Sequence, residues 1–127
     1  MVCYDESAAA EAALKLAVQR AGTFSAKLYL VTSLKGGPEV PRMDFVRAEK
    51  RLKQAKAQLL DQRIECQTKL SVRRLEPGED LVKFAEEQNI DEIFVGIKHR
   101  SKVGKFVFGS TAQYIILKAP CPVHTVK

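Results

Sequence analysis

The sequence predicts an α/β domain in which a parallel sheet is covered by helices on both faces. Short apolar runs typical of buried strands alternate along the chain with segments whose apolar residues recur at helical spacing. One of these runs, Ile93-Phe94-Val95, leads into a basic segment with glycines that ends at a helix start, Gly109-Ser110-Thr111. Because no internal repeat, linker or low-complexity segment interrupts the alternation, one domain is predicted over residues 1–127.

The boundaries of the individual elements follow from the same patterns. Strands are predicted at residues 2–4, 27–34, 68–72, 91–96 and 121–126. The first helix is predicted to begin after Ser7 as its N-cap and to end at Gly22. The other helices are predicted from about residue 41 to 63, from Glu76-Pro77-Gly78 to about residue 88, and at residues 110–118.

Composition favours an ordinary soluble protein and gives no sign of a metal site. No run reaches the roughly 18 apolar residues of a membrane span and no signal peptide precedes the first strand, so a cytoplasmic protein without a membrane partner is expected. Cys3, Cys66 and Cys121 are widely spaced, which favours small buried apolar groups over a redox or metal role. His99 and His124 lack neighbouring ligands.

The positive charge of the chain is concentrated near its end. Residues 1–92 contain 15 basic and 15 acidic residues, so the whole net charge of +6 lies in residues 93–127. Four of the six basic residues there lie between Gly96 and Gly109. A solvated charged face would explain them. A local anion site is the favoured interpretation, because the charge coincides with a glycine-containing loop before a helix N-terminus, where unpaired amides and the helix dipole attract anions.

Two well-known phosphate-binding loops do not fit this segment. A Walker A loop requires glycine where His99 stands, and Ser or Thr where Phe106 follows Gly104-Lys105. The dinucleotide fingerprint G-x-G-x-x-G is also absent after the first strand, where Asp5-Glu6-Ser7 stands instead.

The chain resembles the universal stress protein family over essentially its whole length. The family signature G-x-x-G-(x)9-G-[ST] matches Gly96, Gly109 and Ser110, while His99 replaces the second glycine. Further similar segments occur in the family's order: Asp5-Glu6-Ser7, Glu76-Pro77-Gly78, 91–96 and Ala119-Pro120-Cys121-Pro122-Val123. Together these segments form a specific pattern, although each one is common by itself.

The resemblance implies a doubly wound, three-layer domain with a five-stranded parallel sheet in the order 3-2-1-4-5 and about four helices. In that order strands 1 and 4 are neighbours at the point where the winding reverses, and ligands of doubly wound sheets bind in the crevice at such a point. Asp5 and the loop that begins at Gly96 are therefore expected to face each other across a binding site.

The resemblance also implies the roles of individual site residues. Asp5 would contact the nucleoside, and the backbone near Ser33 would approach the base. The phosphates of ATP, alone or with Mg²⁺, would lie against the loop and the helix start that follows it, a set comprising Gly96, Lys98, His99, Arg100, Gly109, Ser110 and Thr111. Two structural alternatives stay open: Ser110 as an N-cap of the last helix, and Asp5 as a second-layer cap of the first.

No catalytic constellation is evident in the sequence. Asp5 is the only acid that the expected site supplies, so at most slow, incidental ATP hydrolysis is expected. The leading hypothesis is a non-catalytic ATP-binding stress protein. The alternative is an adaptor of the same fold that acts through protein partners without nucleotide, because His99 occupies a glycine position. Nucleic-acid binding is disfavoured, since no binding motif accompanies the basic loop.

The protein is predicted to form a homodimer through its last strand. The resemblance implies such a dimer, and in the 3-2-1-4-5 order strand 5 lies at a sheet edge. Its residues Val123, His124, Thr125 and Val126 carry no charged Lys, Arg, Asp or Glu that would oppose pairing with another strand.

Overall fold

A computed structural model of the protein describes residues 1–5, 7–97 and 108–127. Strands and helices alternate along these residues, as the sequence predicts. The elements are β1 (Val2–Cys3), α1 (Ala8–Phe24), β2 (Leu28–Lys35), α2 (Arg42–Asp61), β3 (Cys66–Arg73), α3 (Pro77–Glu87), β4 (Ile93–Gly96), α4 (Ser110–Lys118) and β5 (Val123–Val126).

The strands form one parallel sheet in the order β3-β2-β1-β4-β5, which confirms the predicted topology. β1 lies between β2 and β4, with Val2 opposite both Leu30 and Phe94. From β1 the chain continues through β2 to β3 at one edge, then crosses back to β4 on the other side of β1 and continues to β5 at the opposite edge. The winding therefore reverses between β1 and β4, and the crevice expected there lies at the carboxyl ends of these two strands.

Two hydrophobic cores fill the spaces on either side of the sheet. One core packs α1 and α2 against the sheet through residues such as Leu14, Leu30 and Leu52. The other packs α3 and α4 against the opposite face through residues such as Phe84 and Ile115. The alternation of side chains along each strand sends neighbouring residues into different cores, which produces three layers.

β2 and β3 pair over a longer stretch than the sequence pattern predicts. Each has eight residues, and the pairing runs without interruption from Leu28 opposite Cys66 to Lys35 opposite Arg73. Two of the three added β3 residues, Gln67 and Arg73, are polar, so hydrophobicity alone does not mark the ends of this edge strand. Backbone pairing with β2 determines them instead.

The start of α1 is correctly predicted, but its predicted end at Gly22 is wrong. Ser7 is the N-cap, and its hydroxyl oxygen accepts a hydrogen bond from Ala10 N at 3.1 Å. At the other end the helix continues to Phe24, and Ser25 adopts the left-handed conformation at φ 51°. The amides of Ser25 and Ala26 both donate to the carbonyl of Ala21, which closes the helix without a glycine.

Gly22→Ala should therefore stabilise the protein. Gly22 lies inside α1 with an ordinary helical backbone, and a Cβ at this position would meet no atom within 4 Å. Alanine should raise the free energy of unfolding by about 0.5–1 kcal/mol, because glycine in a helix interior loses more backbone entropy on folding. Urea denaturation of both proteins would measure the difference. A destabilised variant would contradict the helical assignment of residue 22.

All three cysteines are free thiols in the structure. Cys3 and Cys66 are buried and Cys121 is half-buried. Burial raises the pKa of the Cys3 thiol to about 12 and also raises the pKa values of Cys66 and Cys121. The placement of these groups fits the predicted role of small apolar side chains.

A thiol-labelling experiment should distinguish the three cysteines. At pH 8 in native protein, Cys121 should react first with iodoacetamide, because it is half-buried whereas the other two thiols are buried away from the reagent. Mass spectrometry of the digested protein would give the rate at each site. In denaturant all three should react at similar rates. Fast native labelling of Cys3 would contradict its placement in the closed interior.

No helix in the described ranges is long and apolar enough to cross a lipid bilayer.

Candidate functional site

A cavity of about 680 Å³ opens at the carboxyl ends of β1 and β4, the predicted position of the crevice. A volume of this size falls within the range of small-molecule sites. The walls come from both helical layers and from the ends of three strands. The main contributors are Tyr4, Asp5 and Ser7 after β1; Thr32, Ser33 and Leu34 of β2; Asp44, Arg47 and Arg51 of α2; Pro77 and Leu81 of α3; Gly96 of β4; and Phe108, Gly109, Ser110 and Thr111 at the start of α4.

The N-terminus of α4 faces this cavity, and no side chain of the described residues caps it. Gly109 is the N-cap, and neither a side-chain cap nor an acidic residue in the first turn is present. The first amide that bonds within the helix is Gln113 N, which donates to Gly109 O at 3.0 Å. The amides of Ser110, Thr111 and Ala112 precede it, so they lie where a helix attracts an anion.

Ser110 is therefore the first residue of α4 and does not cap it. The alternative that its hydroxyl serves as a plain N-cap is wrong, because Gly109 occupies that position. Ser110 is exposed and contributes to the cavity wall together with Thr111.

The two motif glycines in the described part of the chain have different surroundings. A Cβ on Gly96 would lie 2.4 Å from Ala9 C and 2.6 Å from Ala10 N, in the first turn of α1. A Cβ on Gly109 would meet no atom of the described residues within 4 Å, and Gly109 has an unstrained φ of −62°. The close approach at Gly96 is thus made by the protein's own helix, whereas no atom of the described residues lies close to Gly109.

Asp5 lies on the cavity wall and also supports the start of α1. Its Oδ1 accepts hydrogen bonds from the Ser7 amide at 2.8 Å and from the Ser7 hydroxyl at 2.5 Å. Ser7 Oγ in turn accepts from Ala10 N. The second-layer capping role is therefore present, and the location in the cavity leaves room for a ligand contact as well.

Three charged residues of α2 reach the cavity although the sequence-based site omits them. Asp44, Arg47 and Arg51 lie on one face of the helix together with buried Ala48, because residues three or four positions apart share a face. The expectation that Asp5 is the only acid at the site is wrong, since Asp44 also lines it. The helical spacing of these three residues indicates in the sequence that they share one face of the helix. It does not indicate a binding site, because alternating charges on a long helix suit a solvated surface equally well.

Ser33 also lines the cavity, where its side chain is held by a buried carboxylate. The Ser33 hydroxyl donates to Asp80 Oδ2 at 2.5 Å, and Asp80 is completely buried in the first turn of α3. The backbone near Ser33 was expected to approach a base, and the side chain adds a polar group to the same wall.

Three of the predicted site residues, Lys98, His99 and Arg100, lie outside the described residues. Within the described residues, no group of three or more His, Cys, Asp or Glu side chains is placed to hold a metal ion.

The family model described as "Universal stress protein family" matches residues 1–127. The chain belongs to the universal stress protein family. Its fold is also that of solved family members. The structure of a universal stress protein from Archaeoglobus fulgidus superposes with a TM-score of 0.89 at 36% identity and covers 98% of this chain and 93% of that one.

A second structure gives information about a ligand in a related protein. It is the universal stress protein from Archaeoglobus fulgidus in complex with dAMP, with a TM-score of 0.83 at 33% identity over 98% of this chain and 92% of that one. A curated universal stress protein of Methanothermobacter thermautotrophicus is 36% identical over 56 residues, which is 44% of this chain. That match spans 38% of the length of the curated relative.

In this universal stress protein β5 is an edge strand, as the predicted order requires. Along it, Val123, His124 and Val126 are half-buried and Thr125 is exposed. The His124 ring stacks on Phe94 with centroids 4.5 Å apart and an interplanar angle of 12°. Its Nε2 lies 3.6 Å from Glu92 Oε2, so His124 packs within its own domain. The homodimer stays a prediction.

Proposed function

We propose that this universal stress protein binds an adenine nucleotide, ATP, in the cavity, and that the nucleotide regulates the protein rather than serving as a substrate. The observation that carries the proposal is the uncapped N-terminus of α4, which faces a cavity of about 680 Å³ at the reversal of the sheet. The relative that is 33% identical and was solved in complex with dAMP supports an adenine nucleotide as the ligand.

The charges on the cavity wall suit a nucleotide with several phosphates. Arg47 and Arg51 project from α2, and the amides at the start of α4 lie on another part of the wall. Asp5 and Asp44 supply oxygens that would accept hydrogen bonds from ribose hydroxyls or would share a Mg²⁺ ion with the phosphates. One Asp5 oxygen already accepts two hydrogen bonds from Ser7, which supports a positioning role over activation of water.

Ser110→Ala should weaken ATP binding without weakening the fold. The exposed Ser110 hydroxyl makes no capping bond in α4, so its loss should affect a phosphate contact more than stability. A hydrogen bond to a charged group contributes about 1.5–3 kcal/mol, so the dissociation constant should rise about 10- to 100-fold in calorimetry with Mg-ATP. Gln113→Ala, one turn along the same exposed helix surface, is the matched control and should bind as the wild type does.

Two outcomes of the same titration, and the rate of a separate phosphate-release assay, would contradict parts of the proposed function. No heat with wild type, together with binding by His99→Gly, would favour the nucleotide-independent adaptor. Equal binding by wild type and Ser110→Ala would contradict the proposed position of the phosphates at the start of α4. Phosphate release at many turnovers per minute would contradict the regulatory role, since a regulator should hydrolyse ATP slowly if at all.

We also propose that the protein is a homodimer paired through β5. Ile93 N donates to Pro122 O and Ile97 N donates to Val126 O, so the alternate residues Val123 and Thr125 turn their backbone groups away from β4. Thr125→Pro would remove one outward amide while leaving the bonds to β4 in place. Light scattering at micromolar concentration should give a dimer mass for wild type and a monomer mass for this variant. A monomeric wild type would contradict the proposal.

A further inference from the structure

A buried carboxylate holds two neighbouring serine hydroxyls beneath the cavity wall. Ser33 of β2 and Ser71 of β3 are register partners, so their side chains point to the same face of the sheet. Ser33 Oγ donates to Asp80 Oδ2 at 2.5 Å, and Ser71 Oγ donates to Asp80 Oδ1 at 2.9 Å. Arg73 Nε lies 3.2 Å from the same Oδ1 and keeps the charge of this buried group balanced.

The two serines differ in what they present to the cavity. Ser71 is buried with 2% exposure, whereas Ser33 is half-buried and lines the cavity. A serine hydroxyl has one proton to donate and two lone pairs that accept. Because the Ser33 proton is directed at the carboxyl oxygen of Asp80, only lone pairs of the Ser33 hydroxyl remain for a ligand. Ser33 therefore presents an acceptor to the cavity.

The position of Ser33 indicates which part of a nucleotide would meet this acceptor. If the phosphates lie at the start of α4, which follows β4, then Ser33 on β2 lies two strand spacings away, about 10 Å. The cavity wall near Ser33 includes the apolar side chains Val31, Leu34 and Leu81. An apolar wall with one polar group suits a purine ring better than a charged or hydroxyl-rich group.

We propose that Ser33, with its hydroxyl fixed by Asp80, selects a base that donates a hydrogen bond, such as the amino group of adenine, over a base with a keto oxygen at the same position. The inference rests on the proposed nucleotide site and specifies how its base is recognised. Asp80 is a positioning residue, since it reaches the ligand only through Ser33. A keto base would set its oxygen against the Ser33 lone pairs, leaving both acceptors unpaired.

The test compares the binding of AMP and IMP. AMP carries a 6-amino group beside an unprotonated N1, whereas IMP carries a 6-keto oxygen beside a protonated N1. Wild type should bind AMP about 10-fold more tightly than IMP, as expected for one hydrogen bond and its unpaired alternative. Ser33→Ala should bind both with nearly equal affinity. Asp80→Asn can place its amide NH₂ toward Ser33, which frees the hydroxyl proton for the ligand and should shift the preference toward IMP.

Ser71→Ala is the matched control. It removes the other hydroxyl that donates to Asp80 but no group that lines the cavity, so it should keep the preference for AMP even if it lowers stability. The unfolding midpoint of each variant, measured in parallel, shows which proteins are folded at the titration temperature. If Asp80→Asn does not fold, the comparison of wild type with Ser33→Ala decides the test.

The outcomes separate this inference from the proposed function. Equal affinity of wild type for AMP and IMP, or an unchanged preference in folded Ser33→Ala, overturns the inference and leaves nucleotide binding intact. Binding of neither nucleotide by wild type overturns the inference, and it overturns the proposed function as well if Mg-ATP also fails to bind. A preference for AMP that disappears in Ser33→Ala and persists in Ser71→Ala supports the inference.

Discussion

Gly96→Ala should destabilise the protein by about 3 kcal/mol or more, the upper part of the range for overpacked interiors. The added Cβ would lie 2.4 Å from Ala9 C, 2.6 Å from Ala10 N and 2.7 Å from Ala9 O. All three are backbone atoms of the first turn of α1, so no side-chain rotation relieves the overlap. Either β4 or the start of α1 must move, which would also disturb the cavity wall. Urea denaturation with a common m-value would measure the loss.

Gly109→Ala is the matched control from the same sequence motif. Its Cβ would meet no atom of the described residues within 4 Å, at an ordinary φ of −62°, so the free energy of unfolding should change by no more than about 0.5 kcal/mol. If the space beside Gly109 accommodates phosphate, the same variant should lose nucleotide affinity. Equal destabilisation by the two substitutions would contradict the difference in packing between these glycines.

Asp80→Ala should destabilise the protein by about 3–5 kcal/mol, the range for removing one partner of a buried ion pair. The carboxylate is fully buried and accepts from Ser33 and Ser71, and Arg73 Nε lies 3.2 Å away. Its removal leaves two hydroxyls and part of a guanidinium without their acceptor. Arg73 keeps its bonds of 2.7 and 2.9 Å to Glu87, which limits the loss. Thermal and urea denaturation would both report it.

Glu79→Ala provides the comparison at the adjacent position of the same helix turn. Glu79 is also an acid in the first turn of α3, but it is exposed. Its replacement should cost less than about 1 kcal/mol, because it removes only a favourable interaction with the helix dipole. Similar losses in the two variants would show that helix polarity, rather than the buried network, accounts for the effect of Asp80.

The fold could be predicted because its determinants are local and repeated along the chain. Buried runs such as Ile93-Phe94-Val95 and the N-cap at Ser7 were identified correctly, since each depends on a few neighbouring residues. Gly22 was misassigned because a glycine permits a helix end without requiring one, and here the bonds to Ala21 O determine where α1 ends. The strand order followed from the family resemblance, and no single segment of sequence specifies it.

The candidate site was harder to predict because its parts are distant in sequence. Asp80 meets Ser33 across 47 positions, and the distance between them depends on the pairing of β2 with β3 and on the packing of α3. The charges of Asp44 and Arg47 were visible, but only the packing of α2 turns that face toward the cavity. For Gly96 the motif was identified correctly, while its neighbour, the start of α1, could be seen only in three dimensions.

Helices from both faces of the sheet line the cavity, so a bound nucleotide would affect the motion of both helical layers. α2 belongs to the core on one face of the sheet and α4 to the core on the other, yet both supply residues to the same cavity. A ligand that contacts Arg51 and Ser110 together would connect the helices of the two faces across the carboxyl ends of the strands. Its binding energy would then oppose opening of either layer, and amide hydrogen exchange should slow in both cores in parallel as the site fills.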